Sequence, residues 1–230
     1  MAGYAARTGP GWVQALGPAT TTVLLRHGET ALSGGQRFAG RGDIPLTATG
    51  REQAVAAAAR LAARGGLDRI VTSPLVRARQ TAGAVAAATG LEPVVQDGWA
   101  EVDFGEWEGL SHAEAERDWP EQMAAWLSDP GAAPPGGESL AAASDRVLAA
   151  LDSLLAGHPG ATVLIVSHVT PMKILLRHAL LAPPAALRRM YLGVASLCEI
   201  SWYAGGVGVV RTLNDTAHLS PQEITGQRLC

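Results

Sequence analysis

Cysteine is scarce: two in 230 residues, Cys198 and the terminal Cys230. That is too few for a disulfide framework or a thiolate metal cluster, and it points to a reducing compartment. Lysine is scarcer still, Lys173 standing alone among 18 basic residues, so nearly all positive charge is carried by arginine. Guanidinium is a permanently charged, fork-shaped donor suited to carboxylate and phosphate. Charge of either sign is sparse, at 17% charged residues and a formal net charge of −3, which predicts no nucleic-acid surface and no attraction to an anionic membrane. No window reaches about 18 apolar residues without a charge, and the first 20 residues lack a signal-type apolar core. With 47% hydrophobic residues the chain can still bury a sizeable core, which excludes disorder over most of its length. The expectation is a soluble, cytoplasmic globular protein.

Residues 1–20, rich in Gly, Pro, Ala and Thr and without period, predict a linker or flexible arm; 21–220 read as the folded domain and 221–230 as a tail. Short apolar runs predict strands over 22–26, 68–73, 92–96, 161–168, 197–203 and 207–213. Helical period predicts helices over 47–64, capped by Thr47 or Thr49 and stopped by Gly65-Gly66, and over 73–89, with Ser73 as N-cap and Pro74 in the first turn. Others follow behind a Ser111/Glu114 capping box, over 138–156 with Glu138 at the start, and over 171–181 with Thr170 as a candidate cap. Strands alternating with such helices predict an α/β fold, a mostly parallel sheet covered on both faces. Sites in such sheets lie at the carboxyl ends of strands. Three ends carry polar residues here: 25–27, 72–73 and 166–168.

The first end reads Arg26-His27-Gly28-Glu29-Thr30. A cation beside the imidazole favours its neutral, nucleophilic form, and Gly28 would let a ligand approach the backbone. The second leads into Arg77, in the first turns of a helix and placed to grip phosphate, while Arg79 faces elsewhere. The third ends an apolar strand on His168. A lone histidine there would more often be a satisfied core residue; two at neighbouring strand ends suggest a site. Glu101, among Phe104, Trp107 and glycines, suits a general acid, with Asp103, Glu106 and Glu108 as local competitors. Trp99, Trp107, Trp119 and Trp126 read mainly as packing of a small cap over 102–137, above the site.

RHGET, FAGRGDIPLTATGREQA, SPLVRARQTA, EVDFGEWEG, PPGGES and VSH, in this order over about 22–214, together resemble the histidine phosphatase superfamily, the phosphoglycerate-mutase-like fold. The resemblance implies a three-layer α/β/α domain and phosphohistidine chemistry without metal or other cofactor. His27 would be the nucleophile, with Arg26, Arg77 and His168 around the phosphoryl group and Glu101 as proton donor. Thr30, Ser33 and Val169 would line the substrate, as would Arg37, for which a solvent-facing role is the equal alternative. Two positions depart from the pattern: Ser33 stands where many members carry Asn, and Val169 where Gly follows the second histidine.

EVDFGEWEGL is similar to the phosphatase branch, and between Glu101 and Glu138 the only basic residues are His112 and Arg117, too few for a second cationic clamp. A phosphatase acting on a small phosphorylated metabolite, with an acidic optimum, is therefore expected ahead of a phosphoglycerate-type mutase. A catalytically silent phospho-ligand binding module is the alternative of another class. No histidine pair has metalloprotease spacing. VSHVTPMKILL, ASLCEISWY and LND also resemble the phosphatase half of actinobacterial proteins that fuse RNase H to an acid phosphatase, which implies an N-terminal RNase H domain in a longer protein; the alternative is an independent phosphatase with a short arm.

Overall fold

In the computed structural model, which describes residues 17–220, six strands form one sheet: β1 (Thr20–Arg26), β2 (Arg69–Thr72), β3 (Pro93–Val95), β4 (Thr162–Ser167), β5 (Leu197–Tyr203) and β6 (Val207–Asp215). Their order is β3-β2-β4-β1-β5-β6. β3, β2, β4 and β1 are parallel, and β5 pairs antiparallel with both β1 and β6. The mostly parallel sheet is thus as expected. The predicted arm lies outside the described residues up to residue 16, as does the tail over 221–230. Among the described residues no helix is long and apolar enough to cross a membrane.

The helices are α1 (Ala31–Gly34), α2 (Ala48–Arg64), α3 (Val76–Thr89), α4 (His112–Asp118), α5 (Pro120–Ser128), α6 (Leu140–Gly157) and α7 (Val169–Ala179). Alternation along the strands decides which helices cover which face. Val23 and Leu25 of β1, with Leu164 and Val166 of β4, pack against Ala57 and Leu61 of α2 and Ala78 and Val85 of α3. Leu24, Val163 and Ile165 point the other way, onto Val147 and Leu151 of α6 and Met172 and Leu175 of α7. Both faces are therefore buried, which gives the expected three layers. A one-residue slip would carry each of these side chains to the opposite face, so burial pins the strand register that sets the carboxyl ends side by side.

Three local expectations change. α3 begins at Val76 rather than at Ser73-Pro74, and its first amide donates to Asp43 Oδ1 at 2.6 Å, a cap supplied from across the fold. Leu75 is extended and donates its amide to Ser73 Oγ, so the Ser73 hydroxyl stays at the strand end instead of capping a helix. α7 begins at Val169 with His168 as its N-cap residue, which puts Thr170 inside the helix. α6 begins after Ser139, whose hydroxyl accepts from the Ala142 amide, and Glu138 lies ahead of it, paired with Arg146 at 2.8 Å. The capping box of Ser111 and Glu114 opens α4 as expected.

Candidate active site

Strand pairing brings the three polar ends together, because β1 and β2 flank β4: Arg26 is opposite Ser167, and Thr72 opposite Val166. His27, Ser73 and His168 each follow one of these strands directly, and all three are buried. The two imidazoles lie with ring centroids 5.1 Å apart and planes inclined at 56°.

The hydrogen bonds assign their protons. His27 Nδ1 lies 2.7 Å from the Gly28 carbonyl oxygen, which only accepts, so Nδ1 carries the hydrogen and Nε2 keeps a free lone pair. His168 has the opposite tautomer. Its Nδ1 accepts from Arg77 Nε at 3.2 Å, so the proton sits on Nε2, which donates to Ser73 Oγ at 2.7 Å. Both rings titrate well below the usual histidine range, first because they are buried and then because cations stand beside them, Arg26 and Arg77 for His27 and Arg77 foremost for His168. Both rings are thus neutral, His27 with a free Nε2 lone pair and His168 with Nε2 as a donor.

The two arginines differ in how far they are committed. Arg77 is fully buried and donates to His168 through Nε, to Gly42 through Nη1, and to Ala39 and Gly40 through Nη2. It braces the 39–42 loop against His168 and retains a single unused N–H. Glu108 closes the other side of that loop, accepting the Gly40 amide at 2.9 Å. Arg26 spends Nη1 on the Leu192 carbonyl at 2.7 Å, while its Nε is buried with no hydrogen-bond partner among the described residues. Burial lowers the Arg26 pKa to about 10, which still leaves it charged. An unpartnered guanidinium N–H beside His27 is a place for an anion to accept.

Glu101 is 5% exposed, and its charge acts on Arg26 and Arg77. Its Oε1 accepts from the Val102 amide at 2.8 Å and its Oε2 from the Thr170 amide at 3.3 Å, tying it to the start of α7 beside His168. Of the competing carboxylates, Glu108 anchors the loop and Asp103 accepts from the Gly105 amide. The structure therefore brings His27, Arg26, Arg77, His168 and Glu101 together.

The outer residues are placed differently. Thr30 is buried, and its hydroxyl and amide engage Ser33 in a capping box at α1, so both hydroxyls are committed locally. Arg37 pairs with Glu114 at 2.6 Å on the surface and also donates to the Gly109 carbonyl, which turns it away from the histidines. The Ser111 amide first, and then the Arg37 guanidinium, pull the Glu114 carboxyl down to about 2. Val169 is the first residue of α7 and partly exposed. Trp107 and Trp126, in the segment over 102–137, meet each other edge-on and pack against Phe38, Trp107 tilted and Trp126 edge-on, whereas Trp99 is buried in the core, its carbonyl accepting from Ser167. Gly28 serves packing rather than ligand approach: a Cβ there would meet the Gly50 carbonyl oxygen of α2 at 2.2 Å.

Ser73 is the site residue that sequence reasoning missed. Its position at a strand end beside two others was visible, but Ser-Pro reads first as a helix start. Among the described residues no three His, Cys, Asp or Glu side chains gather as a metal-holding group. A cleft of about 400 Å³ bordered by Leu127, Pro130, Leu140, Leu187 and Arg188 lies apart from the histidines.

The depressed histidines predict a pH dependence of stability. Between the folded and the ordinary histidine pKa the unfolded chain binds protons that the folded chain does not, so stability falls as pH drops below about 6.5. Each histidine contributes a slope of up to about 1.4 kcal/mol per pH unit, or about 2.7 for the two. Carboxylates whose pKa is lowered by arginine partners, Glu114, Glu138, Asp118 and Asp215, act in the same direction but only below about pH 4.5. Melting temperature is expected to fall between pH 7 and 5.5 without added phosphate, and His27→Gln to flatten the fall. A level profile in both proteins would contradict the protonation states assigned above.

Comparison with known proteins agrees with this geometry. Residues 22–216 match the family described as the histidine phosphatase superfamily (branch 1). The chain is 48% identical over 212 residues to the bifunctional protein Rv2228c of Mycobacterium tuberculosis, covering 92% of this chain but 58% of that protein, so it spans under two thirds of that relative's length. It is 38% identical over 204 residues to a probable phosphoglycerate mutase GpmB of Yersinia enterocolitica, covering 85% of this chain and 93% of that one. The solved mycobacterial glucosyl-3-phosphoglycerate phosphatase Rv2419c superposes with a TM-score of 0.78 at 32% identity, over 86% of this chain and all of that one. With its paired histidines at adjacent strand ends and a family match over most of its length, the chain belongs to the histidine phosphatase superfamily, branch 1.

Proposed function

We propose that this domain hydrolyses the phosphomonoester of a small phosphorylated metabolite through a phosphohistidine at His27, without a metal. The observation that carries this reading is a free His27 Nε2 lone pair together with the unpartnered Nε of Arg26, whose charge acts on His27. A nucleophile and an anion donor stand together. Nε2 attacks phosphorus, the P–O ester bond breaks, and the proton carried by Glu101 goes to the departing oxygen. Water then attacks the phosphoryl group, Glu101 takes its proton, the P–N bond breaks and neutral His27 is restored. Arg26, the remaining Arg77 N–H and the His168 side oppose the charge on the phosphoryl oxygens.

The low pKa of His27 supports an acidic optimum, since the nucleophile stays neutral where an ordinary histidine would be protonated. Hydrolysis and mutase chemistry share the phosphohistidine and differ in whether water or product takes the phosphoryl group. The name and greater length of the mycobacterial relative are in keeping with a longer protein bearing an N-terminal RNase H domain, and the scarcity of cysteine with a cytoplasmic setting.

The test is release of phosphate from 4-nitrophenyl phosphate with a chelator present, followed from pH 4.5 to 8. Sustained turnover, faster on the acid side, is the expected result. Loss of turnover with the chelator would overturn the metal-independent scheme, and absence of turnover at every pH would leave a binding module.

A further inference from the structure

Arg26 and His27 are both held by one buried turn, and that turn is itself held from the end of β6. It spans 193–196 and is closed by the Ser196 amide on the Gly193 carbonyl at 3.2 Å. Just ahead of it, the Leu192 carbonyl accepts from Arg26 Nη1 at 2.7 Å, the one hydrogen bond of the Arg26 side chain among the described residues. The Ala195 amide donates to the His27 carbonyl, and the Ser196 carbonyl accepts the Arg26 amide, both at 3.1 Å. Arg26 is thus aimed by a single carbonyl. Where the turn sits decides where its free donors sit.

The turn carries strain at its third position, where Ala195 has a φ of 52°. A positive φ there ordinarily calls for glycine or asparagine, and a residue so placed persists only where its surroundings over-determine it. They do so from two sides. The Ala195 carbonyl accepts from His218 Nε2 at 3.0 Å; a carbonyl oxygen only accepts, so His218 Nδ1 is the bare nitrogen, 3.5 Å from Arg60 Nη1, which Asp215 holds at 3.0 Å. The Gly193 amide donates to Asn214 Oδ1 at 2.7 Å. Asn214, the asparagine of the LND stretch, has a φ of 53°, a left-handed conformation that asparagine tolerates, and both outer contacts come from the five residues that end β6 and turn after it.

We infer that Asn214 and His218 are positioning residues for phosphoryl transfer: acting through the 192–196 segment, they hold the Arg26 guanidinium and the His27 backbone in register with each other. Neither touches the phosphoryl group. A misplacement of about 1 Å from a change outside the reacting centre can cost about 100-fold in rate, so a loosened turn is felt as lost chemistry before it is felt as lost fold. This inference rests on the phosphohistidine reading given above.

The test separates the hydrogen bonds from the backbone they stabilise. Asn214→Gly keeps the left-handed conformation and removes the acceptor, whereas Asn214→Asp keeps both. His218→Ala removes the donor to Ala195, and His218→Gln offers an amide donor in its place. With 4-nitrophenyl phosphate, kcat is measured per folded molecule, alongside melting temperature and the affinity for inorganic phosphate by calorimetry. Asn214→Gly and His218→Ala are each expected to lower kcat by about 10- to 100-fold, and Asn214→Asp to recover it to within about threefold of the unaltered protein. An unchanged kcat in both truncations, whatever the melting temperature does, would overturn the assignment, as would a loss in Asn214→Gly that Asn214→Asp fails to repair. Should Asn214→Gly not fold, His218→Ala and its repair by His218→Gln decide in the same way. If the unaltered protein hydrolyses nothing, the phosphatase reading fails by itself, and phosphate affinity then replaces kcat in the same comparison: a loss in the truncations repaired by Asn214→Asp supports the assignment, and equal affinities overturn it.

Discussion

His27→Ala is expected to lower kcat for phosphomonoester hydrolysis by at least about 10,000-fold, the scale of loss when a covalent nucleophile is removed. The substitution should leave the fold standing. His27 is neutral and buried, its one hydrogen bond runs to the adjacent Gly28 carbonyl, and the backbone around it is held from outside: its amide by Ser167, its carbonyl by the Ala195 amide. Loss of rate would therefore report chemistry and not collapse, which the circular dichroism of the variant checks directly.

Phosphate labelling separates this residue from its neighbour. Quenching the unaltered enzyme during turnover should trap an acid-labile phosphoryl label on His27, absent from His27→Ala. His168→Ala should slow the reaction yet still take the label, since His168 Nε2 is protonated and directed at Ser73 and so has no lone pair to offer phosphorus. Label on His168, or near-normal turnover by His27→Ala, would dismantle the scheme.

What the sequence made visible, and what it hid, follows from the range of the interactions involved. The strand ends were legible because each is a run of buried apolar residues closed by a polar one, a contrast contained within a few positions. The Ser111/Glu114 box and the Thr47 cap were legible for the same reason, both being contacts over three residues. The roles that shifted depend on partners far along the chain. α3 takes its cap from Asp43, 33 residues before it, which releases Ser73 to orient His168. Arg37 is drawn aside by Glu114, 77 residues on, and Gly28 is small because Gly50 of another element presses against it.

Arg77 is the most instructive of these. Its charge and its place in the first turns of a helix suggested a phosphate grip, and the convergence on the histidines is real. Yet four of its hydrogen bonds are spent inside the protein, on His168 Nδ1 and the carbonyls of the 39–42 loop. What the structure shows of Arg77 is the tautomer it imposes on His168 and the positive field it adds at His27. Arg26, which the resemblance also sets around the phosphoryl group, has the freer donors.

Glu101→Gln should divide substrates by their leaving groups. Glutamine has the same shape, and one oxygen can still accept from the Val102 or Thr170 amide, so the site should stay assembled. What it cannot do is give a proton to a departing alkoxide. For alkyl phosphates such as glycerol 3-phosphate, whose leaving oxygen is strongly basic, kcat/KM should fall by about 100- to 1,000-fold, in the range attributed to positioned general acids. For 4-nitrophenyl phosphate, whose phenolate departs without help, the same step should slow by about tenfold or less. In the proposed scheme dephosphorylation uses Glu101 as base whatever the substrate was, so the variant should show a burst of nitrophenol followed by a slow phase, with phosphoryl label accumulating on His27. Glu106→Gln, an exposed neighbour, serves as the control for charge alone. Equal losses on alkyl and aryl esters, with no burst, would remove Glu101 from proton transfer and leave it only the task of holding the start of α7.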